Sequence, residues 1–594
     1  MIRVISKIFL KYYLVQLKRC IKWDRDQVYK IQEIRNDKEN YIMQEKIKFK
    51  REIVKSIQII IQMKAIYLLV LVSLCLGNDQ TVYSVDQRLG KYTLNEGKSP
   101  VALAWGYYKH EVMEDGWGKL YIWTSDTFKS HEYSLKTSYA AGYLEGSITY
   151  EHIYNHFWSW YDFTFGKEKV DQKLEQYLLE QYEYARGLVK ENRGDEYYEA
   201  LERILAQNDG LFQAIQDKAP INKKLTWVQL LLLQACGDIY ELKEAMKTKQ
   251  ERIQWHLLSS EEFEWEREKR ISCSALIKAL DDWSDVWMAH TTWTSYQNML
   301  RIYKYYQFSG PNPYRVSFSS KPGLLYSKDD FYVLPDSNMV VIETTNGILD
   351  TSLYDLINAQ TLLTWQRVPV AHSISKGGEK WTKTFIRHNS GTYNNQYIVI
   401  DLKVVKKGTQ GPEKDFIWIS ETVPGFAIAL DVTDKVKSNG NYWKSYNIPY
   451  TPEVYDKAGY TEAVKKDPIK YSYELCPRGQ MMKRDAPKVK SLQDMKQFIR
   501  YNDYKNDEFS DKNPANAISS RLDLLDTNPR AHGSIDGKVA SLASVPLNIA
   551  YIQSGPTTDQ QPVFSWTPLF NGIHWGQPTT FNFTWVEVKE EKIV

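Results

Sequence analysis

Cysteine is scarce in this 594-residue chain, with five residues at positions 20, 75, 236, 273 and 476. No Cys-x-x-Cys pair occurs, which excludes zinc-ribbon and thioredoxin-type redox motifs. The Gly-x-Ser-x-Gly elbow and the Gly-rich phosphate loop are also missing, so the common serine-hydrolase and nucleotide-binding signatures fail. Histidine is limited to ten residues. His152 and His156 would share a helix face beside Glu151, but no third ligand is evident, so they read as packed or surface residues and no metal site is expected. There is no repeat of fixed period and no low-complexity tract. Charge of one sign does not dominate either: the formal net charge is +3, and residues 1–62 alone hold ten Lys and five Arg against seven Asp and Glu. The remainder is therefore net negative, which excludes a nucleic-acid footprint.

What is present describes a large globular protein, 43% hydrophobic and 25% charged. Its length exceeds what one core normally holds, so two lobes or one layered domain with insertions is expected. With 42 Tyr and 19 Trp it is rich in aromatics, which suits strands and an apolar cleft, and equally suits core packing. Met63-Lys64 followed by the apolar run Ala65–Gly77 reads as a secretory signal peptide at 63–77. The run is shorter than the roughly 18 residues of a membrane-spanning helix, so no stable membrane insertion is expected. Residues 1–62 are then an upstream extension or a genuine basic segment, the other reading of the apolar run being a signal-anchor. Three cysteines follow the run, and in an oxidising compartment an odd number leaves at least one unpaired. Cys236, within an apolar stretch, reads as a buried inert thiol, while Cys476 is open. Asn582-Phe583-Thr584 is a glycosylation acceptor.

Along the chain, Ala102–Tyr107 and Leu120–Trp123 read as short strands, and Ala140–Gly146 opens a helical tract. Leu174, Tyr177, Leu178, Tyr182, Ala185 and Leu188 recur at three- and four-residue steps and predict an amphipathic helix over 170–189; helical periodicity continues over 197–247. Ser259–Arg270 is a dense polar run, either a solvated helix face or an exposed linker. Beyond Cys273 the pattern changes to short apolar runs with period two at Met339–Thr344, Tyr397–Val405, Phe416–Ser420 and Phe426–Val432. A helical first half and a strand-rich second half suggest sheets covered by helices, an α+β architecture.

Cys273 offers the clearest chemistry. A cysteine acts as a nucleophile only as thiolate and needs a base or cation beside it. If peptide rearrangement at Ser272–Cys273 frees the α-amino group of Cys273, that amine, titrating near pH 7.7 to 8, supplies the base from the same residue. Oxyanion donors and a guanidinium would complete such a site. The residues by themselves do not say which Asn or Arg converge on it.

Cys273-Ser-Ala-Leu-Ile-Lys278, Ala289-His-Thr-Thr-Trp-Thr-Ser-Tyr296, Asp329-Asp-Phe-Tyr332, Glu343-Thr-Thr-Asn346, Asn389-Ser-Gly-Thr-Tyr-Asn-Asn-Gln396 and Ser445-Tyr-Asn-Ile-Pro449 closely resemble the phospholipase B-like family, including the lamina ancestor proteins. The likeness continues through Arg500–Asp503, Asn516–Ser519 with Arg521, His532–Asp536, Ser554–Thr557 with Asp559-Gln560, and Gly576–Pro578. It covers most of residues 85–590 and leaves out 1–62. The resemblance implies an N-terminal-nucleophile (Ntn) hydrolase with a four-layer αββα core. Its precursor is cut before the cysteine into fragments 78–272 and 273–594 that stay associated. By position Cys273 matches the nucleophile, His290 and Trp293 the family's site positions, Asn447 the oxyanion donor, and Arg478 the cation near the thiol, with Arg521 as a second candidate. The implied activity is hydrolysis of phospholipid acyl esters through an acyl-Cys intermediate, without metal or organic cofactor, in a lysosomal or secreted protein. An amidase acting on N-acyl amides or small peptides, and a silent binding protein that has kept the fold, are the alternatives.

Overall fold

A computed structural model describes residues 81–270 and 273–591, together with Lys48. The signal peptide expected at 63–77, the rest of the basic segment 1–62, and Ser272 lie outside the described residues. Among the described residues the larger sheet has eleven strands, running from Phe426–Asp431 at one edge to Lys91–Glu96 at the other. Its pairings are antiparallel except one: Trp117–Thr124 lies parallel to Ile302–Phe308, with Gly118 opposite Ile302 and Trp123 opposite Gln307. That pair joins the chain before Cys273 to the chain after it within a single hydrogen-bonded sheet.

The smaller sheet runs in the order Tyr442–Ser445, Ser274–Ala279, Val286–Thr291, Asp536–Ser541, Ile549–Ser554, Val586–Lys589, all antiparallel. Alternation along these strands decides the layers. Ala275, Ile277 and Ala279 meet Val340 and Ile342 of the larger sheet in a shared core. Leu276, Trp287, Ala289 and Val539 face away, onto Met481, Met482, Met495 and Phe498 of two helices. On the far side of the larger sheet Val341, Tyr397 and Val399 pack against Ala140, Leu144, Val368 and Trp381. The order is therefore helices, sheet, sheet, helices, as the αββα expectation required.

The helical layer over the larger sheet is led by His131–Phe165, 35 residues long and capped by the Ser130 hydroxyl, which accepts from Tyr133 N. The helix Glu196–Lys218 crosses it at backbone distance. A Cβ on Gly142 would come within 1.8 Å of the Gln207 carbonyl oxygen, and one on Gly210 within 2.0 Å of that of Tyr139, so neither position tolerates a side chain. The predicted amphipathic helix is observed as Gln172–Glu191, with all six spaced apolar residues buried. Several boundaries differ from the sequence reading, two of them with a clear local cause. The long helix begins at His131, ahead of Ala140, because its first turn is polar and carries no apolar period. The strand read as Tyr397–Val405 ends at Asp401, whose carboxylate accepts from Lys403 N at 3.0 Å and starts a 3₁₀ turn over Leu402–Val404.

Candidate active site

Cys273 directly precedes the Ser274–Ala279 strand, in the interior of the smaller sheet. It is fully buried and has a φ of 95°, a conformation that costs a non-glycine residue about 1–3 kcal/mol. Pairing of Ser274 with Thr291, and of Ala275 with both His290 and Ser445, brings the ends of both neighbouring strands alongside it. This register explains why residues far apart in sequence converge. Trp293 follows one neighbouring strand end, and Asn447 follows the other, itself at φ 72°; an asparagine adopts this left-handed conformation more readily than most residues.

Arg478 comes from the first turn of the helix Pro477–Asp485. Its Nη1 donates to the Cys273 carbonyl oxygen at 2.7 Å and to Ser274 Oγ at 3.1 Å. Its guanidinium lies 4.1 Å from the Trp293 ring centroid, a stacked cation–π contact. Burial pulls the guanidinium down to about 10, so it stays cationic at neutral and acid pH. Arg521, the second candidate, is engaged elsewhere: it pairs with Asp523 at 2.7 Å and donates to the Thr557 and Pro562 carbonyls at 2.6 and 2.9 Å. Asn447 Nδ2 donates to the Thr345 carbonyl at 2.7 Å, and Tyr460 Oη donates to the Asn447 carbonyl at 3.2 Å. His290 is fully buried, and burial lowers its pKa well below the usual value, so the ring is neutral. Its Nε2 donates to the Glu343 carbonyl at 2.8 Å, which ties the two sheets together at the site.

Several charged residues beside Cys273 had no role assigned from sequence. Burial pushes the thiol well up, Glu343 and Asp330 push it further, and Lys328 and Lys538 oppose them. Tyr393 Oη donates to Glu343 Oε1 at 2.9 Å and also to Asp330, while the Lys328 ammonium stands 4.4 Å from the Tyr393 ring centroid. Burial, with Asp330 alongside, raises the Glu343 carboxyl well above its ordinary range. A carboxyl raised in the folded state keeps its proton where the unfolded chain has lost it, so stability falls as pH rises above about 4.3 toward the folded value. Glu343→Gln is expected to melt a few degrees higher than the parent at pH 8 and at nearly the same temperature at pH 4.5, in thermal scans across that range. A gap that widens toward acid would contradict the assignment.

Beneath the site lies an ion network. Arg301 pairs with Asp329 and with Asp536, the latter at 2.6 Å; Lys538 bonds Asp536 at 2.6 Å, and Lys321 pairs with Asp329. Asp536 also accepts from Thr292 N at 2.8 Å, and Lys538 Nζ donates to Thr292 Oγ1 at 2.6 Å. The network thus fixes the residues between His290 and Trp293. Asp329 and Asp536 occur in the motifs quoted above, whereas Arg301, Lys321 and Lys538 lie outside them.

A cleft of about 380 Å³ is lined by Trp293, Asn447, Arg478, Tyr446, Tyr460 and Cys476. Cys476 is buried, and burial raises its thiol. Cys236 is buried too, pushed up to about 11, and all three described cysteines are free. Part of the cleft wall is the polar run itself. Ser260–Glu268 forms a helix with a Ser259/Glu262 capping box, and Glu264, Arg267 and Glu268 line the cleft. The run therefore contains a helix that forms part of the cleft wall, neither a free linker nor a purely solvated face. His156 is buried, while His152 Nε2 meets His110 Nδ1 at 2.9 Å. Asn582 is exposed and borders a separate open groove of about 1130 Å³.

Residues 104–588 match the family model described as Phospholipase B. The chain belongs to the phospholipase B family. It is 35% identical over 497 residues to a protein named Phospholipase B from Crotalus adamanteus, covering 82% of this chain and 88% of that one. To Phospholipase B-like 1 of Bos taurus it is 35% identical over 494 residues, covering 82% and 88%. To Phospholipase B-like protein D of Dictyostelium discoideum it is 34% identical over 517 residues, covering 84% and 90%. The bounds of the phospholipase B match take in Cys273, the parallel strand pair and the Ser260–Glu268 helix. No described helix is long and apolar enough to cross a membrane.

Proposed function

We propose that this phospholipase B family member is a self-processing hydrolase that cleaves acyl ester bonds of phospholipids through an acyl-Cys273 intermediate. The observation that carries the reading is the position of Cys273. It heads a central strand at φ 95° with Arg478 on its carbonyl, and Trp293 and Asn447 line the adjoining cleft.

In the uncut chain the buried thiol is neutral, so the first step needs its proton removed as sulfur attacks the Ser272 carbonyl carbon. The C–N bond then breaks, the proton passes to the departing nitrogen, and Ser272 is held as a thioester. Water hydrolyses that thioester, which leaves a Ser272 carboxylate and a free Cys273 α-amine. The amine next acts as base: it takes the thiol proton as sulfur attacks an acyl carbonyl, and gives it to the departing alcohol oxygen. Water, deprotonated by the same amine, releases the fatty acid. Asn447 is assigned to the oxyanion and Arg478 to lowering the thiol pKa, while Trp293 seats Arg478 and His290 holds the strand in place. These steps need no metal or organic cofactor. Fragments 78–272 and 273–594 would stay joined, because Trp117–Thr124 and Ile302–Phe308 are neighbours in one sheet. A secreted or lysosomal location and glycosylation at the exposed Asn582 belong to the same reading.

The test is fatty-acid release by the processed protein from a phospholipid panel and an N-acyl amide panel at acidic pH. Release from phospholipids is the expected result. Release from the amides alone would replace the ester reading with an amidase, and release from neither would leave a silent binding protein.

A further inference from the structure

The helix Ser260–Glu268 borders the cleft through Glu264, and the preceding Phe263 packs against two residues of the cleft wall. The Phe263 ring centroid lies 5.2 Å from that of Trp255 and 6.3 Å from that of Tyr471. The Glu264 carboxylate pairs with the Lys470 ammonium. Lys470 stands 4.4 Å from the Phe263 ring centroid and 5.9 Å from that of Tyr471, with its side chain 19% exposed. An ammonium on such apolar ground has given up much of its hydration, and without an anion beside it would pay a desolvation penalty. Burial already pulls it down to about 8.

The same cleft is lined by Ile348, Leu349, Ile448 and Ile469 together with this cation, Trp293 and Arg478. Of the acidic groups that face it, Glu264 and Glu268 belong to the covering helix, and Asp467 accepts from Lys470 N at 2.9 Å; Asp511 is the remaining one. Arg267 belongs to the covering helix too. With the helix displaced, Lys470 is left as a cation in the same cleft as Arg478, the residue bonded to the Cys273 carbonyl.

We propose that Lys470 binds the phosphate of the phospholipid substrate, in the place that the Glu264 carboxylate holds in the uncut chain. This rests on the hydrolase reading above and adds to it a headgroup determinant. The pre-nucleophile helix is then an internal mimic of substrate, acidic at Glu264 and apolar at Phe263, and must leave before substrate enters.

The experiment compares two substrates with the same acyl chain, a short-chain lysophosphatidate and the corresponding monoacylglycerol, on the processed enzyme. Lys470→Met is expected to lower the phosphate-to-neutral ratio of kcat/KM by about tenfold, chiefly through KM, and Lys470→Arg to restore most of it. An N-acylglycine series separates phosphate from carboxylate recognition; an equal effect there would overturn the assignment to phosphate. On the wild type, which avoids any folding defect of the variant, decyl phosphate is expected to inhibit at lower concentration than decanol. An unchanged ratio in Lys470→Met, or equal inhibition by the two decyl compounds, would overturn the subsite. If the wild type hydrolyses neither substrate, the ester-hydrolase reading falls, and calorimetric binding of decyl phosphate to wild type and Lys470→Met still decides the role of Lys470.

Discussion

Cys273→Ala abolishes acyl hydrolysis, with turnover expected to fall by at least about 10³-fold, while the chain still folds. The expectation follows from what the side chain does and from where it sits. Removing the atom that forms the covalent intermediate leaves no parallel route, so the loss approaches that of disabling the whole catalytic unit. The fold should survive because alanine deletes one buried sulfur that makes no disulfide, a truncation worth about 1 kcal/mol. Fatty-acid release and a thermal melt on the same preparation separate the two effects. Activity within tenfold of the parent would move the nucleophile elsewhere, and Cys476, which lines the same cleft, would be the next residue to replace.

Asp536→Ala produces the largest expected loss of stability. Asp536 is fully buried and accepts from Arg301, Lys538 and the Thr292 amide. Its removal leaves Asp329 as the one acidic partner of Arg301 in the network, facing Lys321 as well, and strips Lys538 of its carboxylate. Breaking a buried pair from one side typically costs about 3–5 kcal/mol, because the remaining charge stays desolvated. Denaturant unfolding read by tryptophan fluorescence should show the midpoint fall accordingly, with processing before Cys273 slowed as the Thr292 anchor is lost. A cost under about 1 kcal/mol would mean that water reaches the network and shares its charge.

The sequence made some of this architecture readable because local pattern and burial agree. The six spaced apolar residues between Leu174 and Leu188 are all buried in one helix, and the four strands read after Cys273 are found to within a few residues, while others such as Ile302–Phe308 and Tyr314–Ser320 were not read. His290, Trp293 and Asn447 were singled out by resemblance, and the strand register that sets them around Cys273 is visible only in the fold. Arg478 came the same way, and it arrives from a separate helix about two hundred residues after Cys273. The ion network was not legible because partners on strands distant in sequence carry no periodic signal, and each looks like an ordinary charge until its neighbours are known. The polar run Ser259–Arg270 shows the opposite failure. Its composition suggests solvent on all sides, yet Phe263 and Trp265 are enough to seat it over the cleft, with Lys470 and Arg530 bonding its carboxylates.

The claim on which the account depends is that the chain cuts itself before Cys273. N-terminal sequencing and intact mass of the purified protein after acid incubation test it directly. The account predicts a larger fragment that begins with Cys273-Ser274-Ala275, and a Cys273→Ala chain that stays joined at that bond under the same conditions. A wild-type chain that remains whole, or a fragment beginning elsewhere that still hydrolyses acyl substrate, would contradict it.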